Sequence, residues 1–521
     1  MLERRFARPL AAVVAAFLML VPAAALAQQA GAPAEEAQQQ QQRQRPGRPQ
    51  PEADSALRLP PPVTIKQTLE IGGRTRDYDV TAGAIVLRND DGEPMAEVGY
   101  VAYVLKDGVQ AGRPVTFAFN GGPGAASAYL HFGVLGPKRL PFGNTGDGPS
   151  APPQLVDNPE TWLDFTDLVF IDPVGTGYSR FVSSNRELRN SVWSVDGDIN
   201  ALAAVVRRYL TENNRWQSPK YLVGESYGGF RVPRLAWRLQ NEEGIGVSGI
   251  VMISPVLDFA TQSDSDGAPL SFATRLPSLA ALALEKQGKP ATRAALSEVE
   301  EYARSQFVVD FLRGPGDRDA VARIVDRVAG FTGLDRAFIA NQAGRLDLAQ
   351  VVRALGRDSE KVASLYDASV LGLDALPFSL SFRPKDPILA ASVAPLTSAA
   401  VDFIGRTIGW RVDAPYRLLS DDVTRGWNWG ANRDEVPSAV DELRGALALD
   451  PALKALIVHG ATDLVTPYFD SQLIIDRLTP LGATDGKRVK LEVLRGGHMF
   501  YSDDASRAAL TAAARKLYAD R

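Results

Sequence analysis

The sequence predicts an α/β protein, built on a central, mostly parallel β-sheet with an inserted helical cap. Short continuous apolar runs at residues 168–171 and 250–253 are typical of strands buried on both faces. Apolar residues at helical spacing lie between such runs, as at residues 199–209. From about residue 259 to 415 the pattern is helical, and a strand-like run returns at residues 455–458. Alternating strands and helices favour an α/β fold, so the helical stretch is interpreted as an insertion.

The N-terminus has the pattern of a secretory signal peptide. Three arginines near the start precede an apolar stretch at residues 10–20, and Ala25-Leu26-Ala27 fits a cleavage site. The apolar stretch is too short to span a bilayer. We therefore expect residues 1–27 to be removed during export. The mature protein is then a bacterial periplasmic or secreted protein with no stable membrane anchor.

Shifts in composition indicate the domain boundaries. Residues 28–62 are rich in Gln, Ala, Pro and Arg and have little to bury, which predicts a disordered linker. Residues 63–258 carry the first part of the α/β core, which begins with antiparallel strands. Residues 259–415 form the predicted cap, where apolar residues from Leu296 to Phe311 fall on one helical face. Residues 416–521 complete the core.

Composition excludes several classes of function. The chain has a formal net charge of −4 and no basic stripe, so we expect no nucleic acid partner. It contains no cysteine, which excludes disulfides and thiolate metal sites. The sequence has neither a metal-ligand cluster nor a phosphate-binding loop, and we expect no metal and no cofactor. The hydrophobic share of 45% in 521 residues provides ample material for a core.

The segment Gly224-Glu225-Ser226-Tyr227-Gly228-Gly229 is the strongest functional signal. It lies between a strand-like run at residues 221–223 and a segment from Phe230 that can open a helix. G-x-S-x-G between a strand and a helix is the nucleophile elbow of an α/β-hydrolase. The flanking glycines let strand and helix approach closely, so the serine can occupy a strained turn. Ser226 is the predicted nucleophile.

A serine nucleophile needs a base, and α/β-hydrolases supply the triad in the order Ser, acid, His. His131 precedes Ser226 and is therefore in the wrong order. His498 lies on a glycine-rich loop after a strand-like run and is the predicted base. Asp463 follows another strand-like run and is the predicted acid, while His459 at the end of that strand is interpreted as structural.

Acyl transfer also needs donors aimed at the developing oxyanion. Asn120-Gly121-Gly122-Pro123-Gly124 follows a strand-like run at residues 115–119, in the position of the early oxyanion loop. The backbone N–H groups of Gly122 and Tyr227 are the predicted donors.

Together these residues resemble the serine carboxypeptidases, and the resemblance extends from about Val115 to Met499. The motifs that carry it occur in this order: Asn120-Gly121-Gly122-Pro123-Gly124, Leu135-Gly136-Pro137, Asn158 to Trp162, Asp172-Pro173-Val174-Gly175-Thr176-Gly177-Tyr178-Ser179, Gly224 to Gly229 with Val232-Pro233, and Gly497-His498-Met499. The resemblance implies a peptidase that removes single residues from peptide C-termini through an acyl-enzyme.

The resemblance also implies roles for individual residues. Ser226, Asp463 and His498 form the triad. The oxyanion hole consists of the N–H groups of Gly122 and Tyr227. Three further residues bind the terminal carboxylate of a peptide substrate: Asn120, Gly121 and Glu225. Glu225 must be protonated to do so, because two like charges at contact cannot both remain ionised when buried.

Two residues depart from the family pattern. Val134 stands where the family usually has a second glutamate that supports the first. An apolar neighbour can still raise the pKa of Glu225 by desolvation. Arg231 stands where the family usually has an aromatic residue. It either brings positive charge toward the substrate carboxylate or is a helix-surface or salt-bridged arginine.

Three functions are therefore open. The preferred interpretation is a serine-type carboxypeptidase. An esterase or acyltransferase would keep the triad and change the acyl group or acceptor, since fold does not determine substrate; Val134 favours it. The third is an inactive binding or scaffold protein, against which the complete predicted triad argues.

Overall fold

The structure is a computed structural model that describes residues 58–89, 91–106, 112–141, 150, 152–183, 185–262, 268–379, 384–430, 436–478 and 488–520. The chain divides into one unit at Met1–Ala56 and a second at Leu57–Arg521. All of the described helices and strands lie in the second unit. The predicted signal peptide and most of the predicted linker lie outside the described residues.

In the described part of the chain, the strands form one large sheet and two small ones. In chain order they are β1 Val63–Ile71, β2 Arg74–Arg88, β3 Pro94–Leu105, β4 Val115–Phe119, β5 Lys138–Arg139, β6 Val156–Asp157, β7 Asp167–Ile171, β8 Arg180–Phe181, β9 Lys220–Glu225, β10 Gly249–Ile253, β11 Lys361–Ala363, β12 Leu371–Leu373, β13 Lys454–Gly460 and β14 Val489–Leu494. The large sheet has the order β1-β2-β3-β7-β4-β9-β10-β13-β14, with β8 paired to β3. Strands β5 and β6 pair separately, as do β11 and β12.

The type of strand pairing changes once across the large sheet, from antiparallel to parallel. Neighbours from β1 to β7 are antiparallel, whereas every neighbouring pair from β7 to β14 is parallel. All residues of β4, β7, β9 and β10 are buried, as expected for parallel strands covered on both faces. The carboxyl ends of the parallel strands therefore meet at one edge of the sheet.

Helices cover both faces of the sheet. The α-helices are α1 Ala128–Leu130, α2 Arg186–Val192, α3 Val195–Glu212, α4 Tyr227–Asn241, α5 Pro269–Ala273, α6 Leu276–Lys286, α7 Arg293–Arg304, α8 Gln306–Leu312, α9 Arg318–Thr332, α10 Arg336–Asn341, α11 Leu348–Gly356, α12 Pro387–Asp402, α13 Asp421–Gly426, α14 Val440–Leu449, α15 Tyr468–Asp476 and α16 Asp504–Ala519. π-Helices occupy His131–Leu135 and Phe403–Ile408, and 3-10 turns occupy Trp162–Asp164, Phe259–Gln262, Arg357–Ser359 and Phe500–Ser502.

Alternate residues of the strands divide the core into two layers. Leu222 of β9 packs in a cluster with α3, α4 and α14, whereas its neighbour Val223 packs in a cluster with α12 and α16. This follows from the strand geometry, since successive side chains point to opposite faces. Helix α3 begins at an N-cap, Ser194, whose hydroxyl accepts a hydrogen bond from the Gly197 N–H at 3.1 Å.

The helical insertion follows β10 and precedes β13. Helices α5 to α11 share a third apolar cluster, which also contains Leu464 and Phe469 from the core. The apolar face predicted from Leu296 to Phe311 is buried but belongs to two helices, α7 and α8. They separate at Ser305, whose φ of −123° and ψ of −96° are not helical.

Helix α12 and the π-helix after it, Pro387–Ile408, form a 22-residue segment long and apolar enough to cross a membrane by length and composition. Part of this segment is buried in the described part of the chain, whereas Val401 is exposed. Ile388, Leu396 and Ala400 are buried in the cluster that also contains Val223.

Candidate active site

Ser226 lies at a strained turn between strand β9 and helix α4. Its φ of 61° and ψ of −122° are unusual for a residue with a side chain. Its N–H donates to the Ile253 carbonyl at 3.0 Å, and its carbonyl accepts from the Gly229 N–H at 2.9 Å. In the run 220–233, only Ser226 is more than slightly exposed. The turn therefore presents one serine from an otherwise buried segment.

The glycines of the elbow are required by close packing. A Cβ atom on Gly224 would lie 1.9 Å from the Gly228 carbonyl oxygen. Any side chain there would push helix α4 away from strand β9. The structure thus supports the physical reason for which the sequence motif predicted an elbow.

His498 and Asp463 form a buried pair at the same edge of the sheet. The His498 Nδ1 atom lies 2.8 Å from the Asp463 Oδ2 atom. The other oxygen, Oδ1, accepts from the Val465 N–H at 2.8 Å and the Thr466 N–H at 3.0 Å. The Thr466 hydroxyl donates to Oδ2 at 2.8 Å and lies 3.1 Å from His498 Nδ1. These contacts fix the carboxylate and hold the imidazole through its Nδ1 atom.

The backbone of His498 is held from two sides. Its N–H donates to the Tyr366 carbonyl at 2.5 Å, and its carbonyl accepts from the Ser254 hydroxyl at 2.7 Å. The Tyr366 ring also meets the imidazole edge-on, with 5.1 Å between ring centroids. Burial alone lowers the pKa of His498, but the charge and hydrogen bond of Asp463 outweigh it, so the pKa is raised above 6.5.

The other two histidines have different environments. His459 is buried, with Nδ1 3.0 Å from the Thr466 carbonyl and Nε2 2.9 Å from the Ser471 hydroxyl. Burial lowers the pKa of His459 to about 4. His131 lies 2.7 Å from the Tyr103 hydroxyl through Nε2, and burial lowers its pKa to about 3. Both rings have structural partners.

The glycine loop of the predicted oxyanion hole lies against the start of helix α4. A Cβ atom on Gly121 would be 2.5 Å from the Tyr227 nitrogen. Gly122 follows with a φ of +102°, a conformation that glycine adopts without strain. The first N–H groups of a helix have no acceptor within the helix and carry its positive end. The backbone of Gly121 is therefore packed against the Tyr227 nitrogen next to Ser226, and Gly122 follows it in the chain.

Glu225 and Asn120 are hydrogen-bonded to each other beside the elbow. The Asn120 amide donates to Glu225 Oε2 at 2.5 Å, and the Tyr501 hydroxyl donates to Oε1 at 2.8 Å. Asn120 Oδ1 accepts from the Leu130 N–H at 2.9 Å, which orients the amide group. Burial raises the pKa of Glu225 above 4.5, against the opposing effects of His498, Tyr501 and Asn120. Glu225 is thus a carboxyl group that holds its proton more readily than usual.

Arg231 forms a salt bridge, which agrees with one of the two hypotheses from the sequence. It is buried and does not lie on a helix surface. Its side chain is buried, and Nε lies 2.5 Å from Asp198 Oδ2. Nη1 donates to the Asn120 carbonyl, and the guanidinium lies 4.8 Å from the centroid of the Tyr227 ring. Its charge is paired with Asp198, and it holds the backbone of the glycine loop from behind.

Replacing Arg231 with methionine should therefore lower the free energy of unfolding by about 3–5 kcal/mol, because Asp198 would be left buried without its partner. Urea unfolding measures this. Adding Asp198→Asn should recover part of the loss. The control is Asp196→Asn. Asp196 is exposed, lies on helix α3 like Asp198 and pairs with Arg234, so this change should lower the free energy of unfolding by at most about 1 kcal/mol. Equal stability of Arg231→Met and the wild-type protein would contradict this account of the pair.

Sequence reasoning missed several residues that hold the site together. Thr466 had a local signal, since it follows Asp463 by three residues and caps the same turn. Tyr501 similarly follows His498 by three residues. Ser254 and Tyr366 had no signal, because they reach His498 only through the tertiary structure. Among the described residues, no group of three or more His, Asp or Glu side chains is arranged to hold a metal ion.

Comparison with known protein families gives a match to one family over part of the chain. Residues 100–299 match the serine carboxypeptidase family model. This range contains Ser226 and the residues around Asn120 and Glu225, and it ends before Asp463 and His498.

Curated relatives match over shorter ranges. Serine carboxypeptidase-like 36 of Arabidopsis thaliana is 29% identical over 171 residues, which are 32% of this chain and 33% of the relative. The pheromone-processing carboxypeptidase kex1 of Sclerotinia sclerotiorum is 32% identical over 123 residues, which are 22% of this chain and 16% of the relative. The chain thus spans about a third or less of the length of these relatives.

A solved structure extends the likeness to most of the chain. A prohormone-processing carboxypeptidase from Saccharomyces cerevisiae superimposes with a TM-score of 0.53 and 16% identity, covering 84% of this chain and 91% of that protein. At this identity the likeness concerns the fold, and it confirms the predicted fold class. The chain therefore has the α/β-hydrolase fold, and its residues 100–299 are similar to the serine carboxypeptidase family.

Proposed function

We propose that the protein is a serine-type carboxypeptidase that removes residues from the C-termini of peptides. The observation that carries the proposal is the buried Glu225–Asn120 pair directly beside Ser226. A nucleophile alone supports many acyl transfers, whereas a protonated carboxyl and an amide at this place suit a substrate carboxylate. The family match over residues 100–299 supports the same substrate class.

In the proposed acylation step, Ser226 Oγ attacks the carbonyl carbon of the last peptide bond. His498 Nε2 accepts the hydroxyl proton, and Asp463 stabilises the imidazolium that forms. The negative charge on the carbonyl oxygen is bound by the N–H groups of Gly122 and Tyr227. The C–N bond then breaks as the imidazolium gives its proton to the departing amine, leaving an ester on Ser226.

In the proposed deacylation step, water takes the place of the amine. His498 accepts a proton from the water, whose oxygen attacks the ester carbonyl within the same oxyanion hole. The bond to Ser226 breaks, and the serine recovers its proton from the imidazolium. The shortened peptide is released with a new carboxylate.

Recognition of the terminal carboxylate explains the single-residue product in this proposal. Asn120 and protonated Glu225 donate hydrogen bonds to it, with the Gly121 N–H as a third donor. An ionised Glu225 would instead repel it. The raised pKa of Glu225 widens the pH range in which the proton is present.

The second candidate function is an esterase or acyltransferase on the same scaffold. Val134, in place of a second glutamate, favours it because Glu225 then lacks a carboxyl partner. An inactive binding or scaffold protein is the third candidate, and the intact His498–Asp463 pair beside the elbow argues against it. A mixed peptide library read by mass spectrometry distinguishes all three. C-terminal ladders support a carboxypeptidase, ester cleavage alone supports an esterase, and no labelling by a serine-directed phosphonate supports an inactive protein.

Amidating the C-terminus of a peptide substrate should reduce kcat/KM by about 30- to 900-fold, or roughly 2–4 kcal/mol, since polar groups that bind the carboxylate would lose a partner.

Glu225→Gln should make cleavage of the free acid less dependent on acid pH, because an amide donates at every pH. Wild type should lose activity toward the free acid as pH rises through the pKa of Glu225. The measurement is kcat/KM against pH for both peptides.

The matched control for this prediction is Glu300→Gln. Glu300 is also a buried glutamate that accepts a tyrosine hydroxyl, from Tyr468 at 2.8 Å, but it belongs to the cap. It should leave the pH profile unchanged. Equal cleavage of amidated and free-acid peptides by wild type would exclude carboxylate recognition and favour the esterase.

We further propose that the protein is exported and acts in the periplasm or outside the cell. The signal-peptide pattern at residues 1–27 supports this, although it lies outside the described residues. N-terminal sequencing of the protein from fractionated cells tests it, and a start at Gln28 is expected.

A further inference from the structure

Glu225 has a second partner that the proposed function does not use. The Tyr501 hydroxyl donates to Oε1 at 2.8 Å, while the Asn120 amide donates to Oε2. Both side chains of the Tyr501–Glu225 pair are buried. Each oxygen of the carboxyl group thus accepts a hydrogen bond from a neutral group.

Tyr501 lies in a turn next to the helix that carries Val134. It lies in the 3-10 turn Phe500–Ser502, which follows His498 and packs against the π-helix His131–Leu135. That π-helix carries Val134, at the position where the resembling family has its second glutamate. The Tyr501 hydroxyl therefore reaches Glu225 from the 3-10 turn, which packs against the π-helix that carries Val134.

A phenol and a second carboxyl group have opposite effects on the pKa of Glu225. Two facing carboxyl groups share one proton, which raises the pKa of one of them strongly. The Tyr501 hydroxyl stays neutral, because burial raises its pKa well above 10. As a donor it favours the ionised form of Glu225 and so opposes the effect of burial.

Other titratable groups face Glu225 from the elements around it. His498, when protonated, favours the ionised carboxylate, and Asp463 opposes it. Tyr129 of helix α1 and Tyr366 of the cap are also close enough to interact with its charge. Both keep their protons at neutral pH, since burial raises the pKa of Tyr129 to about 12 and raises that of Tyr366 further. Tyr501 is the neighbour that donates a hydrogen bond to Oε1.

We infer that Tyr501 is a positioning residue that determines the pH range over which Glu225 accepts the carboxylate of a substrate. The inference rests on the proposed function and deepens it. Tyr501 touches Glu225 and acts through it.

The direction of the effect follows from the donor role of the phenol. In Tyr501→Phe the ionised form of Glu225 loses one hydrogen bond, so the proton is held to higher pH. For a free-acid peptide, the limb of kcat/KM that falls with rising pH should move up by about one pH unit. Replacing Tyr501 by 3-fluorotyrosine keeps the shape and strengthens the donor, so the same limb should move down.

The experiment measures three pH profiles for each protein: kcat/KM for a free-acid peptide, kcat/KM for its amide, and the rate of inactivation by a phosphonate that has no carboxylate. The last profile reports the reactivity of the nucleophile and its base, and inactivation also shows that the variant is folded. Tyr468→Phe is the matched control, because it removes a buried tyrosine hydroxyl that donates to Glu300 in the cap.

The expected result is a shift confined to the free-acid profile in both Tyr501 variants, with none in Tyr468→Phe. Unshifted free-acid profiles in the Tyr501 variants would overturn the inference. An equal shift in the phosphonate profile would also overturn it, since Tyr501 would then act through the loop of His498. If wild type cleaves both peptides equally well, the proposed function itself fails, and that outcome is visible before any variant is compared.

Discussion

Ser226→Ala should abolish turnover and leave the fold intact. The strained turn is formed by the close approach of Gly224 to Gly228 and by backbone hydrogen bonds, none of which needs the hydroxyl. The hydroxyl contributes chemistry, and members of a triad act as a unit. The loss in kcat should therefore be on the order of 10⁴ to 10⁶. Peptide hydrolysis measures the rate, and thermal unfolding measures the fold.

The control for this prediction is Ser278→Ala. Ser278 lies in helix α6, and its buried Oγ atom has no hydrogen-bond partner among the described residues. It should leave kcat unchanged and retain labelling by a serine-directed phosphonate, which Ser226→Ala should lose. Retention of more than a few per cent of wild-type activity in folded Ser226→Ala would remove Ser226 from the role of nucleophile.

Replacing His459 and replacing His498 should have clearly different effects on kcat and stability. His498→Ala should match the serine variant in kcat, because His498 is the proposed base and its Nδ1 atom, unlike that of His459, contacts Asp463. His459→Ala leaves the Thr466 carbonyl and the Ser471 hydroxyl unpaired. It should cost about 1–3 kcal/mol of stability and a modest fraction of the rate.

Urea unfolding and kcat, measured on both histidine variants, test this separation. Equal and severe losses of kcat in two folded variants would show that His459 takes part in the chemistry. A stable, fully active His498→Ala would exclude His498 as the base and leave the buried pair without a catalytic role.

Local steric rules explain which parts of the site the sequence could predict. The elbow was predictable because Gly224 and Ser226 meet requirements of backbone geometry within a few residues. Asp463 and His498 were predictable from their order after Ser226 and from the strands before them. The structure brings both to the sheet edge where the elbow lies.

Residues that depend on packing between distant segments were not predictable. The burial of Arg231 follows from helix α4 lying between α3 and α14, so that even a charged position on this helix is covered. Tyr366 reaches His498 because the cap folds back over the sheet edge. The break at Ser305 is also not indicated by the apolar pattern, which continues across it at helical spacing.

The position of the insertion between β10 and β13 has a consequence for synthesis and folding. Strand β13 can join the exposed edge of β10 only after the whole cap has been translated, and His498 follows later still. Pairing between segments so far apart in sequence is intrinsically slow. Until it occurs, β10 is an open edge able to pair with other chains, and the nascent protein has the elbow without the proposed acid and the proposed base. A chain that ends before β13 would therefore expose the edge of β10 and would lack both Asp463 and His498.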